Sequence, residues 1–196
     1  MQSSGLTAWE LFCRRGDRLL FGSLDLRVDR GGAMHLVGPN GIGKTSLLRM
    51  LAGFIAPYRV GGEPVITWQG SLGFIDGRPA LDEHLPLGKA LNFWSAIDGA
   101  KDSHLARLGL EALLDVPVRY LSTGQRKRAA FARLLGQQAD NWLLDEPLNG
   151  LDSQGAALVE ELIAEHRAGG GIAIVASHQN IAMPGAVLLD LRDHPA

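Results

Sequence analysis

Residues 38–45 carry the pattern Gly-Pro-Asn-Gly-Ile-Gly-Lys-Thr, and this is where the chain is best equipped for chemistry. Glycines at this spacing let a backbone wrap around phosphates with its N–H groups pointing inward. A helix starting at the end of such a loop adds its positive pole. The nucleotide-binding set is therefore Gly38, Pro39, Asn40, Gly41, Ile42, Gly43, Lys44, Thr45 and Ser46. Lys44 is expected to neutralise the β- and γ-phosphates of a nucleotide, and Thr45 to hold Mg²⁺ through its hydroxyl. A second group lies a hundred residues on, where Asp145 and Glu146 close an apolar run. Asp–Glu after a strand is by itself a solvated strand end. Behind a phosphate loop, Asp145 becomes a carboxylate that reaches Mg²⁺ and Glu146 the group that orients or deprotonates a water.

These residues need elements to hold them. Residues 19–28 alternate as a strand, with Leu20, Gly22, Leu24, Leu26 and Val28 on one face. Gly31 and Gly32 form a turn, and 34–37 is a short buried strand feeding the phosphate loop. Leu47, Leu48 and Leu51 share one face of the following helix, which Gly53 stops. Residues 65–68 and 71–75 read as strands of one small sheet around Gln69 and Gly70. Residues 77–86 form a loop, and 87–96 and 103–114 read as helices of a helical subdomain spanning about 80–125. A helix at 124–135 precedes a buried strand at 141–144. A helix at 155–168 follows, ended by glycines 169–171, and strands lie at 172–177 and 187–191. Apolar strands alternating with helices predict an α/β domain around a mostly parallel sheet covered on both faces. The whole chain, 1–196, is expected to form one such domain.

A chain of 196 residues, 46% hydrophobic and 20% charged, suits a globular protein with a substantial core. Its net charge of −2 gives no electrostatic basis for binding nucleic acid or an anionic membrane. The single cysteine, Cys13, excludes an internal disulfide and is expected to be inert. No signal-peptide pattern opens the chain, and no apolar stretch approaches bilayer-spanning length. Membrane association is expected through a partner only.

Between the two nucleotide motifs stand Leu121, Ser122, Thr123, Gly124 and Gln125; after them come Leu151, Asp152, Ser177 and His178. The first group resembles the signature sequence of ABC-type ATPases, with Thr123 where glycine is usual. Residues 144–147 resemble the extended Walker B motif, Leu151 and Asp152 the D-loop, and His178 the switch histidine. The resemblance covers nearly the whole chain. It implies a P-loop NTPase fold of the ABC type, with a small antiparallel β region and a helical subdomain. It also implies a head-to-tail pair of identical chains sandwiching two ATP molecules. Ser122, Gly124 and Gln125 would then serve the nucleotide bound by the opposite copy, with Asp152 at the shared interface. His178 would contact the γ-phosphate and help Glu146 hold the water.

Within that superfamily the chain is most similar to the ATP-binding subunits of bacterial cytochrome c maturation, the haem-exporter system. The pieces are Leu11-Phe12-Cys13, Arg18-Leu19-Leu20-Phe21, Leu91-Asn92-Phe93-Trp94, the signature followed by Arg126-Lys127-Arg128, and Ser177-His178-Gln179. This resemblance implies a peripheral ATPase on the cytoplasmic face of the bacterial inner membrane, paired with an integral membrane subunit. It would drive haem export or the release of a haem-loaded chaperone. Another exporter's ATPase, a soluble ABC ATPase and a non-hydrolysing regulator remain alternatives. Arg126, Lys127 and Arg128 are expected to form a solvated helix face. Two positions depart from the family. Arg14, Arg15 and Gly16 stand where an aromatic residue stacks on adenine, and Arg78 stands nearest the Q-loop glutamine, leaving Asp76 as the only nearby substitute ligand.

Overall fold

Long β-prone runs at the start of the chain form a hairpin of two strands, β1 (Ser4–Arg15) and β2 (Arg18–Asp29). The structure, a computed structural model, describes residues 4–99 and 104–195. Arg14, Arg15 and Gly16 lie at the hairpin tip. The alternation in β2 is broken once. Leu11 pairs with Leu24 but Cys13 with Phe21, so β2 carries an extra residue, and Ser23 sits at φ 48°. The bulge turns Phe21 onto the buried face with Leu24, Leu26 and Val28, leaving Leu20 only half-buried.

The remaining elements are β3 (Ala33–Val37), α1 (Lys44–Leu51), β4 (Val65–Trp68), β5 (Leu72–Ile75), α2 (Leu87–Asp98), α3 (Thr123–Gln137), β6 (Asn141–Asp145), α4 (Ser153–Ala168), β7 (Ile172–Ala176) and β8 (Val187–Asp190). They build two sheets. One is antiparallel, in the order β2-β1-β4, and the other is parallel, in the order β5-β6-β7-β3-β8.

The strands expected to share one small sheet thus belong to different sheets. The reason lies in the turn between them. Ser71 donates through its N–H and its hydroxyl to Asp140, and Asn141 Nδ2 donates to the carbonyls of Gln69 and Ser71. These bonds tie the turn to the start of β6, so β5 runs parallel beside β6 instead of folding back on β4.

The second expected helix of the subdomain, 103–114, is also replaced. Ser103 lies outside the described residues. Leu108 and Leu110 donate backbone bonds to His104 and Leu105, Gly109 follows at φ 62°, and a short 3-10 turn occupies Glu111–Leu113. The left-handed glycine ends the turn before a helix can propagate.

The parallel sheet separates two cores. On one face Leu143, Ile172, Ile174 and Ala176 meet α1 and the antiparallel sheet. On the other Trp142, Leu144, Ala173 and Val175 meet α2, α3 and α4. Cys13 is fully buried, and burial pushes its thiol pKa up. No helix among the described residues is long and apolar enough to cross a membrane.

Candidate active site

All pairings in the five-stranded sheet are parallel, so β3 and β6 end on the same edge, with β7 between them. The loop after β3 therefore faces the acids at the end of β6. Gly43 caps α1 at φ 124°, and a Cβ there would lie 3.0 Å from the Phe21 ring. Only glycine fits both the conformation and the space. Lys44, 7% exposed, folds its ammonium back across the loop and donates to the carbonyls of Gly38 at 2.7 Å and Pro39 at 3.3 Å.

Thr45 Oγ1 donates to Asp145 Oδ2 at 2.7 Å, bridging the two motifs across a hundred residues of chain. Asp145 is 8% exposed. Burial pushes its carboxyl above the usual carboxylate range, the Thr45 hydroxyl pulls it back, and the charges of Glu146 and Asp76 push it up again. Glu146 leaves the sheet in the left-handed region, at φ 48°. Its N–H donates to Ala176 O at 2.8 Å, and its Oε2 lies 2.9 Å from His178 Nδ1. An ionised carboxylate only accepts, so Nδ1 carries the proton in this contact.

Lys44, Thr45, Asp145 and Glu146 line one cavity of about 1210 Å³ together with Asn40, Gly41, Gly43 and Ser46. Gly38, Pro39 and Ile42 complete the loop without lining it. Of the signature only Thr123 borders this cavity, joined by Arg126, Lys127 and Ala130 of the same helix. Ser122 is the N-cap of α3 and shares a capping box with Gln125: its hydroxyl accepts from Gln125 N–H, and Gln125 Oε1 accepts from Ser122 N–H at 2.8 Å. Ser122, Gly124 and Gln125 do not line the cavity that holds Lys44, nor does Asp152, whose carboxylate caps α4 through Gly155 N–H. His178 borders a neighbouring cleft with Gly38 and Pro39.

The basic triplet is not the solvated face expected. All three side chains are half-buried and donate to backbone carbonyls: Arg126 to Arg119, Lys127 to Glu146 and Arg128 to Leu108. Burial pushes the Lys127 ammonium pKa down, and Asp145, Glu146 and Asp76 push it back up. No periodicity in the sequence announces this, because the acceptors are carbonyls from distant segments. Near the Q-loop position Asp76 is already engaged, by Arg49 at 3.2 Å and by Arg78 N–H at 2.8 Å. At the hairpin tip Arg14 is held by Gly16 O and Asp17, while Arg15 lines the cavity.

A parallel sheet whose edge joins a phosphate loop to an acid pair, flanked by a three-stranded antiparallel sheet, is the architecture of ABC ATP-binding domains. A protein from Pyrococcus furiosus, described as a putative ABC transporter ATP-binding protein, shares this fold with a TM-score of 0.81 at 22% identity, over 99% of this chain and 100% of that one. Residues 21–149 match the family model described as ABC transporter. The chain is 50% identical over 193 residues to the cytochrome c biogenesis ATP-binding export protein CcmA of Novosphingobium aromaticivorans, covering 98% of both. It is 47% identical to the CcmA of Zymomonas mobilis, covering 97% of this chain and 86% of that protein. The chain belongs to the ABC transporter ATP-binding family, and within it to the CcmA proteins.

Proposed function

We propose that the chain is the ATP-hydrolysing, energy-coupling subunit of a membrane ABC complex serving c-type cytochrome biogenesis. The observation that carries the reading is Glu146, which lines the cavity that Lys44 and Thr45 also line and meets His178 of the neighbouring cleft at 2.9 Å. The phosphate loop and the N-terminus of α1 bind the triphosphate of ATP, and Lys44 exchanges its two loop carbonyls for phosphate oxygens. Thr45 Oγ1 and Asp145 Oδ2 are hard oxygen donors already facing one another, which suits Mg²⁺. Bound there, Mg²⁺ would neutralise charge on the phosphates.

Glu146 accepts a proton as water attacks the γ-phosphorus and the bond to the β-phosphate oxygen breaks, leaving ADP and phosphate. His178 Nδ1–H holds the Glu146 carboxylate in place. Ser122 and Gly124, at the N-terminus of α3 and outside their own chain's cavity, serve the γ-phosphate of a second copy, with Asp152 beside them. The assembly is therefore a pair of these chains beneath an integral membrane subunit, on the cytoplasmic face of the inner membrane. Nucleic acid has no part in it. Either haem or a haem-loaded chaperone is the species moved or released.

Glu146→Gln tests the engine. The variant keeps ATP binding, loses turnover by about 10²- to 10⁴-fold as expected for removal of a general base, and accumulates an ATP-bound dimer. Hydrolysis at the wild-type rate would remove Glu146 from this role.

A further inference from the structure

Helix α3 starts at the Ser122 cap, and one turn into it Lys127 points inward at the end of β6. Its Nζ donates to the carbonyl of Glu146 at 2.9 Å. That carbonyl belongs to a non-glycine residue at φ 48°, a conformation L side chains adopt rarely and hold only where neighbours impose it. Four contacts impose it here. The Ala176 carbonyl of β7 takes the Glu146 N–H, His178 Nδ1 meets the carboxylate, and the carbonyl accepts from Lys127 Nζ at 2.9 Å and, in the turn that follows, from Asn149 N–H at 3.3 Å. Two of these come from β7 and the segment after it. Only Lys127 comes from the helix that carries the signature.

The neighbouring basic residues do not share this position. Arg126 and Arg128 send their donors to Arg119 and Leu108, away from the acid pair. Lys127 and Arg126 both line the same cavity as Lys44, but only Lys127 bonds to the acid pair. Both lysines donate to backbone carbonyls, Lys127 to Glu146 in the acid pair and Lys44 to Gly38 and Pro39 within the phosphate loop.

We propose that Lys127 is a positioning residue that sets Glu146 and transmits the state of the signature helix to it. This rests on the reading of Glu146 as the base. When the opposite copy's nucleotide engages Ser122 and Gly124, α3 is fixed, and Lys127 then fixes the Glu146 backbone and the direction of its carboxylate. Water is activated only when the signature of the same chain is occupied, so each hydrolytic site depends on the other through one hydrogen bond.

The test compares wild type, Lys127→Met, Lys127→Arg and Glu146→Gln in the full chain recovered with its membrane partner. Steady-state ATP hydrolysis, equilibrium binding of ATP and thermal midpoints are measured. Methionine keeps the length and apolar stem but has no donor. Lys127→Met is expected to lower kcat by about 10- to 100-fold, the range for losing a hydrogen bond from a charged donor. Its ATP affinity and thermal midpoint stay near wild type, and Lys127→Arg recovers most of the rate. Three results overturn the proposal: kcat unchanged in Lys127→Met; ATP affinity lost with kcat intact, which would make Lys127 a phosphate ligand; or Met and Arg variants equally inactive with lowered midpoints, which would make it structural. If Glu146→Gln turns over at the wild-type rate, the base assignment fails first and the positioning role with it. If Glu146→Gln is inactive and Lys127→Met is not, the positioning role alone fails.

Discussion

Asp145 shows how a residue that suits function can oppose the fold. Its carboxylate is buried beside Glu146 and Asp76, with the Thr45 hydroxyl as its direct hydrogen-bond partner. Its folded pKa is raised, so the folded state holds the proton more tightly than the unfolded chain. As pH rises from the ordinary Asp value, about 3.9, through the raised folded value, the unfolded state ionises first and stability is lost. At neutral pH the ionised Asp145 is therefore a standing cost, which a bound cation would offset. Asp145→Asn, measured in chelator, is expected to raise the thermal midpoint at pH 7 by roughly 2–4 °C, the shift for about 1 kcal/mol in a chain of this size. The gain shrinks as pH falls and Asp145 in the wild type takes up its proton. The same variant loses Mg²⁺-dependent turnover. A midpoint below wild type at pH 7 would mean that the Thr45 bond outweighs the burial cost. Lys44, Thr45, Asp145 and Glu146 were legible from residue type and spacing alone. Lys127 was not, because its partner is a backbone carbonyl that any sequence could supply.

Among the elements, those carrying strong local signals stand where the periodicity puts them. The Leu47, Leu48 and Leu51 face forms α1, and of the apolar side expected for α3, Ala130, Phe131 and Leu134 are buried while Leu135 is half-buried. The errors arise where a long-range contact overrides local pattern. Asp140 pulls the turn at Ser71 toward β6 and separates β4 from β5. Gly109 stops a helix that the leucines at 105, 108 and 110 suggest. The bulge at Ser23 exchanges Leu20 for Phe21 in the core, and the Phe21 ring then closes against Gly43 of the phosphate loop. The signature helix depends on a similar close approach. A Cβ on Gly124 would lie 2.8 Å from the Gly150 carbonyl, a backbone atom that cannot swing aside. Gly124→Ala is expected to destabilise the chain by about 1–3 kcal/mol through overpacking, displacing the turn before Asp152 together with the start of α3. Chemical denaturation measures this. An unchanged midpoint would mean that the two segments separate freely.

At the scale of the whole molecule, one chain holds half of each proposed site: the phosphate loop and acids face its own cavity, while Ser122, Gly124 and Asp152 lie outside it. A single copy is incomplete as the proposed catalyst. Affinity purification of the tagged chain from mildly solubilised membranes, followed by mass spectrometry, is expected to recover a polytopic subunit of the c-type cytochrome assembly machinery. Recovery of an unrelated permease would keep the ATPase and discard the pathway; ribosomes without a membrane protein would discard transport. Sequence by itself determined the kind of chemistry, because phosphate binding depends on backbone freedom and a few charges at set spacing, and both are written in residue type. It also marked residues 34–37 and 141–144 as buried strands through their apolar runs, although the equally apolar β8 leaves Val187 and Leu188 exposed. Tertiary structure alone decided which sheet each short strand joins, where the basic residues after the signature point, and how Glu146 is held. Those outcomes rest on hydrogen bonds to backbone carbonyls and on contacts between segments distant in the chain, which leave no mark in local composition.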